Sequence, residues 1–142
     1  MFSISGLLPE AKVCAMYFWR RSGMMEITVW ALGEAKRAYS KKEDSAKQNA
    51  YRHCIWQAMR TWEYGSGTAR KLGNAHEVNA GNTNVARLDS AADSYNNIRG
   101  REIGGQITAW TAYGARSAAC ARCKKLVNQH KLKSNAKKGA FV

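Results

Sequence analysis

Three polar segments of the chain carry the side chains that could do acid–base or metal chemistry. They contain two of the three histidines, and the chain has only 10 acidic residues against 23 basic ones. Grouping carboxylates beside histidines therefore runs against the overall charge of the chain. We predict that the segments meet around one pocket, at Asn49, Arg52, His53, His76, Glu77, Asp89, Asp93, Asn96, Asn97 and Arg101.

The first segment, 48–57, predicts a helix with a polar face beside an apolar stripe. Asn49 and His53 share the polar face with Trp56 and Gln57, because residues four, seven and eight apart lie on one side of a helix. Taken alone, a His at the edge of an apolar stripe fits a structural role better than a catalytic one. The chemical interpretation depends on the other two segments.

The second segment holds His76 and Glu77, which point about 100° apart on a helix and can both line a concave site. It is not a zincin motif, because Ala80 stands where the second His would be. The third segment, 89–101, places Asp89, Asp93 and a polar stripe on one helix. Its alternative interpretation is a solvated face, or a helix end near Gly100 with Asn as the cap.

Two kinds of chemistry fit this set. In one, His53, His76 and Asp93 bind a divalent cation such as zinc, with an open position for water. In the other, a His and a carboxylate carry out metal-free general acid–base hydrolysis. The predicted catalytic residues are His53, His76, Glu77 and Asp93, and the predicted substrate-binding residues are Asn49, Arg52, Asn96, Asn97 and Arg101.

The elements that must position these residues are helices. Apolar residues recur at helical spacing and no run of alternating strands is present, so we predict an all-α domain of five to seven helices over 1–130. Ser40–Glu43 is typical of a capping box, and Gly65 predicts the end of the helix that it starts. We expect Gly100 and Gly104-Gly105 to end the next long helix, and a last helix to run from Ile107 to Val127.

The chain carries a formal net charge of +13 in 142 residues, which favours a polyanionic partner such as nucleic acid, anionic lipid or cell-wall polymer. No acidic residue follows Glu102, and we predict a basic, flexible tail over 131–142. No apolar run is long enough to cross a bilayer. Met1–Leu8 is apolar but lacks a basic n-region, so we expect synthesis in a bacterial cytoplasm without a cleaved signal and delivery by another route.

Two of the four cysteines and the five tryptophans are assigned to the core. Cys120 and Cys123 share a helix face and are best interpreted as two buried thiols, although an oxidising compartment could pair some of the four cysteines. The count alone does not determine the compartment. The tryptophans fall mostly on apolar helix faces, which favours packing over stacking on nucleic acid.

The three segments together resemble an uncharacterised bacterial domain family with the pattern NAxRHxxW, then AHE, then DxxNNxxGRxIG. That family is found at the C-terminal tips of wall-associated and polymorphic toxin proteins. The matching residues here are 49–56, 75–77 and 93–104. The resemblance implies a toxin module, with a site at Asn49, Arg52, His53, His76, Glu77, Asp93, Asn97 and Arg101. The family often has His where this chain has Tyr95, which weakens the expectation of a metal site.

The leading hypothesis is a small antibacterial effector that hydrolyses a component of the target cell envelope, either peptidoglycan or phospholipid. Such a toxin would need a cognate immunity protein and a secretion-machine carrier. One alternative is a nuclease toxin acting in the cytoplasm, since the same charge would follow a phosphate backbone. The other is a non-enzymatic, basic, nucleic-acid-binding helical module.

Overall fold

The described residues of the computed structural model form a bundle of five α-helices with no strand. They are 21–78, 84–135 and 139–142, without the side chains of 21–22, 76–78 and 84–90. The helices are α1 (Arg21–Ala38), α2 (Ser45–Tyr64), α3 (Ser66–Val78), α4 (Asn84–Gln106) and α5 (Ala112–Asn128), with a 3-10 turn at Lys42–Asp44. The predicted all-α class is confirmed. No helix among these residues is long and apolar enough to cross a membrane.

Helix α2 is the centre of the bundle and contacts each of the other four helices. Its middle part, 50–61, is buried on nearly every side, which is the pattern of a core helix rather than a surface helix. The buried run is Ala50, Tyr51, His53, Cys54, Ile55, Trp56, Gln57, Ala58, Met59, Arg60 and Thr61. Polar residues of α2 are therefore held between helices, where neighbouring side chains fix their positions.

Glycines bring α4 against the backbone of α2. The prediction that Gly100 ends a helix is wrong, whereas the helix does end directly after Gly104-Gly105, at Gln106. Helix α4 runs through Gly100 and Gly104 to Gln106. A Cβ atom at either glycine would lie 2.4 Å from a carbonyl oxygen of α2, that of Cys54 or that of Ala58. The absence of Cβ thus permits a close helix crossing, and it outweighs the low helix propensity of glycine.

Two predicted helix starts also differ from the structure. The capping box at Ser40–Glu43 does not form, because Lys42–Asp44 is a 3-10 turn and the Asp44 side chain caps nothing. The last helix begins at Ala112 rather than Ile107, and the Thr111 hydroxyl accepts a hydrogen bond from the Gly114 amide at 3.1 Å. Gly65, with a φ of +88°, follows the end of α2 at Tyr64 as predicted.

A disulfide joins Cys54 of α2 to Cys123 of α5, so the prediction that Cys123 is a buried thiol is wrong. Both cysteines are fully buried, and Cys120 is a half-buried free thiol. Cys54 is the residue next to His53 in the chain, so the bond anchors the helix turn that carries this histidine.

The tryptophans divide between core and surface. Trp56 is buried, while Trp30 and Trp62 pack against the core from its edge. Trp110 is 99% exposed, so its assignment to the core is wrong. Trp19 lies outside the described residues.

The C-terminal segment is attached to the bundle through its described residues. Leu132 is fully buried and Ser134 is 3% exposed. The Asn96 side chain donates to the Lys133 carbonyl at 2.9 Å and accepts from the Lys133 amide at 2.8 Å. The segment was predicted to be a flexible tail, and these contacts show that its first residues pack against α4.

Candidate functional site

The centre of the candidate site is a contact between His53 of α2 and Asp93 of α4. His53 Nε2 lies 3.3 Å from Asp93 Oδ2, although the two residues are 40 positions apart in the chain. On the other side of the ring, His53 Nδ1 lies 2.9 Å from Asn97 Oδ1. Asp93 and Asn97 are four residues apart, so one face of α4 holds both edges of the imidazole.

Asn49 and Arg52 extend this contact along α2. Asn49 Nδ2 donates to Asp93 Oδ1 at 2.7 Å, so both carboxylate oxygens of Asp93 have polar neighbours. Arg52 Nη2 donates to Asn49 Oδ1 at 2.8 Å and thereby fixes the orientation of that amide. The result is a continuous polar chain across the α2–α4 interface, running from Arg52 to Asn97.

The surroundings of Asp93 keep its carboxylate ionised. Burial alone would raise the pKa of Asp93, but the contact with His53 and the charge of that ring oppose it. The Asn49 hydrogen bond and the charge of Arg52 act in the same direction, and the balance lowers the pKa below its ordinary value. Asp93 is therefore a persistent negative charge in a basic protein.

The two members of the central pair differ in exposure. The His53 side chain is 2% exposed, and its ring packs edge-on against Trp56 at 5.9 Å between centroids. The Asp93 side chain is 13% exposed, so the carboxylate is the part of the pair that reaches toward solvent. His53 lies behind it and faces an oxygen at each ring nitrogen.

Asn96 and Arg101, two of the predicted substrate-binding residues, have partners within the chain. Both polar atoms of the Asn96 amide bond the backbone of Lys133, away from His53. Arg101 Nη1 donates to Gln57 Oε1 of α2 at 3.4 Å. Burial lowers the pKa of Arg101, and the nearby charge of Arg70 adds to that effect.

Helix α3 approaches the same place on α2 and α4. A Cβ atom at Gly73 would lie 2.8 Å from Gln57 Nε2 and 3.1 Å from Asn97 Nδ2, so any larger residue there would displace these amides. His76 and Glu77 follow one turn later on α3, and their side chains lie outside the described residues. The side chain of Asp89 lies outside them as well.

The predicted metal set of His53, His76 and Asp93 is only partly described. The described side chains contain no group of three His, Cys, Asp or Glu residues that could hold a metal ion. Within the pair itself, each nitrogen of His53 already faces Asp93 or Asn97. This arrangement suits a ring that orients a carboxylate better than a ring that ligates a cation.

Sequence reasoning missed two features that shape the site. One is the disulfide at Cys54, for which the cysteine spacing gives no signal of the partner. The other is the set of glycines, Gly73 and Gly100, at which α3 and α4 approach the α2 segment that carries His53. A spacing of four between Gly100 and Gly104 on one helix face is a usable signal, since small residues so spaced allow close helix contact.

Comparisons with known proteins assign the chain to a family without assigning a reaction. Searches of the curated proteins and of the solved structures found no match. A family model described as a domain of unknown function, DUF6973, matches residues 11–131, so the chain belongs to that family.

Proposed function

We propose that this chain is an antibacterial toxin domain that hydrolyses a component of the target cell envelope, with Asp93 and His53 at the centre of its active site. The observation that carries the proposal is the 3.3 Å contact between these residues, which come from distant polar segments of the chain. An imidazole and an ionised carboxylate that are brought together from two such segments form the arrangement expected of a hydrolytic site.

The difference in exposure supports a separate role for each member of the pair. Asp93 reaches toward solvent, so it is the group that contacts the attacking water or the substrate. His53 is buried behind it and acts as a positioning residue, together with Asn49 on the other carboxylate oxygen. This arrangement parallels hydrolases in which one carboxylate stays ionised in a polar setting and stabilises the reacting centre.

Proton transfer requires a second group, because a carboxyl with a depressed pKa is a poor proton donor and a weak base. We assign that role to His76 or Glu77, which follow Gly73 on the helix that packs against this part of α2 and α4. The pairing would then resemble the division of labour between an ionised carboxylate and a separate general acid.

Arg52 gives the site a preference for anionic substrates. Its guanidinium bonds Asn49 and acts electrostatically on Asp93, so it lies at the edge of the central pair. A guanidinium so placed can bind a phosphate or carboxylate through charge-assisted hydrogen bonds. Envelope polymers and phospholipids supply such groups, and the formal net charge of +13 favours attraction to them.

The test is expression in a susceptible bacterium, with and without a periplasmic export signal, scored as viable count. The exported wild type is expected to kill. Asp93→Asn is expected to restore survival by about 100-fold or more, because removing one preorganised electrostatic group from a reacting centre costs about 100- to 1,000-fold in rate. Glu63→Gln is the matched control, since it removes an exposed carboxylate of α2 away from the site. Thermal melts of each purified variant separate loss of activity from loss of folding.

The outcomes divide the hypotheses. If Asp93→Asn is folded and kills cells to the same extent as the control Glu63→Gln, the proposed site is wrong. Killing only by the form without an export signal, with breakdown of nucleic acid, overturns the envelope assignment and identifies a nuclease. If the wild type does not harm the cell but binds nucleic acid, and Asp93→Asn binds it equally well, the chain is a non-enzymatic nucleic-acid-binding module.

A further inference from the structure

A cleft of about 670 Å³ lies between α1 and α5, on elements separate from the His53–Asp93 pair. Its charged and aromatic lining consists of Trp30, Glu34, Arg37, Tyr113, Arg116 and Lys124. Tyr51, which contacts the floor of this cleft, lies two residues before His53 on α2, so it points to another side of that helix. The cleft is therefore a second candidate site.

The floor of the cleft is the buried carboxylate of Glu34, which lies close to the cations of Arg37 and Lys124. Glu34 has a side chain that is 4% exposed, and it pairs with Arg37 one turn along α1. The Tyr51 hydroxyl donates to Glu34 Oε1 at 3.1 Å, and Lys124 Nζ lies 3.9 Å from the same oxygen. Glu34 thus faces donors of its own chain, while the lining carries three positive charges against one negative charge.

Arg116 forms the wall beside an indole ring. Its guanidinium carbon lies 5.1 Å from the centroid of the Trp30 ring, within the range of a cation–π contact. Its Nη2 atom also donates to Glu26 at 3.0 Å, but the Glu26 side chain is 71% exposed, so water screens that pair strongly. Arg116 therefore stays in place and retains positive charge at the edge of the cleft.

One exposed aromatic side chain lines the cleft, and a second lies three residues before it in the chain. Tyr113, which lines the cleft, is 83% exposed, and Trp110 is 99% exposed three residues earlier, in the segment leading into α5. Trp and Tyr are the residues that populate the interface between water and lipid, because one part of each ring system is apolar and another is polar. Packing does not explain why a ring that lines a basic cleft, and a second ring three residues away in the chain, are both left so exposed.

We propose that this cleft binds the phosphate of an anionic phospholipid headgroup, while Trp110 and Tyr113 enter the interfacial region of the bilayer. The cations Arg37, Arg116 and Lys124 supply the charge complement to the phosphate. The exposed rings favour a lipid-borne phosphate over a soluble one, since a soluble ion gives them nothing to contact. The proposal does not depend on the hydrolase assignment, because none of these residues belongs to the His53–Asp93 site.

The experiment measures sedimentation of the full chain with vesicles of phosphatidylcholine, alone or mixed with phosphatidylglycerol. Asp93→Asn serves as the background, so that hydrolysis of lipid does not affect the readout. Each basic residue near an anionic surface contributes about fivefold in affinity. The pair Arg116→Gln and Lys124→Gln is therefore expected to weaken binding to the anionic vesicles by about 25-fold, while Arg37 is kept to satisfy Glu34.

The matched control pair is Arg122→Gln and Lys125→Gln, which removes the same charge from exposed positions of α5 outside the cleft. It is expected to lose much less affinity. Equal losses for the two pairs would show that binding follows net charge alone, which overturns the cleft. Equal binding of the parent to vesicles without phosphatidylglycerol overturns it too.

The aromatic contribution has its own readout. Trp110→Ala with Tyr113→Ala is expected to weaken vesicle binding and to abolish a blue shift of tryptophan fluorescence on binding. The same variant is expected to bind soluble glycerol 3-phosphate as the parent does, because the cations remain. Unchanged vesicle binding by this variant, or glycerol 3-phosphate binding as tight as vesicle binding, would overturn the lipid assignment.

Discussion

The disulfide between Cys54 and Cys123 is expected to supply a large share of the stability of this domain. The two cysteines are separated by 69 positions in the chain. In the chain-entropy model, a closed loop of that length lowers the entropy of the unfolded state by an amount equivalent to about 4 kcal/mol at 25 °C. Whole domains are stable by only about 5–15 kcal/mol, so reduction should leave the fold marginal.

The assay is urea unfolding of the oxidised protein and of the same protein held reduced by dithiothreitol. A loss of about 4 kcal/mol, with a slope of about 2 kcal/mol per molar urea, lowers the midpoint by about 2 M. Cys120→Ser is the matched control, because Cys120 is a free thiol three residues from Cys123. Burial raises the pKa of the Cys120 thiol, so little thiolate is present to exchange with the disulfide.

The reasoning is refuted if oxidised and reduced protein unfold at the same urea concentration. It is also refuted if peptide mapping of the oxidised protein finds Cys120 in the bond, or if Cys120→Ser loses as much stability as reduction does. A confirmed result has a functional consequence, since such bonds persist in oxidising compartments and are removed in reducing ones. The domain would then be most stable at the envelope, where the proposed target lies.

Three further variants test the packing and the site. Gly104→Ala should lower the free energy of unfolding in urea by about 3 kcal/mol or more, because its Cβ would lie 2.4 Å from a backbone oxygen of α2. Gly105→Ala has open space around it and should raise that free energy by up to about 1 kcal/mol. Equal effects of the two substitutions would contradict the close helix crossing. The lowered pKa of Asp93 adds stability that is present above about pH 4 and is lost as the pH falls through the folded-state pKa. Asp93→Asn should therefore lose less stability below pH 4 than the wild type does. Parallel curves of unfolding free energy against pH for the two proteins would contradict an ionised Asp93 that its neighbours stabilise. Asn96→Ala removes both hydrogen bonds to the Lys133 backbone and should lower the free energy of unfolding by about 2–4 kcal/mol, with faster proteolysis after residue 130. Unchanged proteolysis would show that other contacts hold this segment.

The fold class could be predicted from the sequence because it depends on local periodicity. The spacing of Tyr51, Ile55, Ala58 and Trp62 predicts the apolar stripe of α2. The first three are buried, and Trp62 packs against the core from its edge. The end of α2 before Gly65 was also predictable, since the positive φ there suits glycine. Both depend on residues close together in the chain.

The errors fall where tertiary contacts override local preference. Gly100 and Gly104 resemble helix breaks in isolation, yet α4 continues through them because they allow contact with the α2 backbone. A single disulfide among four cysteines can form in six ways, and the spacing of the chain does not choose among them. Asn96 was assigned to substrate, but its amide binds a segment whose composition had suggested a flexible tail.

The predicted meeting of His53 and Asp93 succeeded because it used charge as well as periodicity. A lone buried histidine is ordinary, and a buried ion pair is often no more stabilising than an apolar pair of the same size. Here the pair is backed by Asn97 on the ring and Asn49 on the carboxylate, so four polar side chains are held together at the contact between α2 and α4. An apolar core would fill the same space without that desolvation cost, and the retained carboxylate is the member that reaches solvent. Stability alone therefore does not account for the polar set, which fits the proposed role of Asp93.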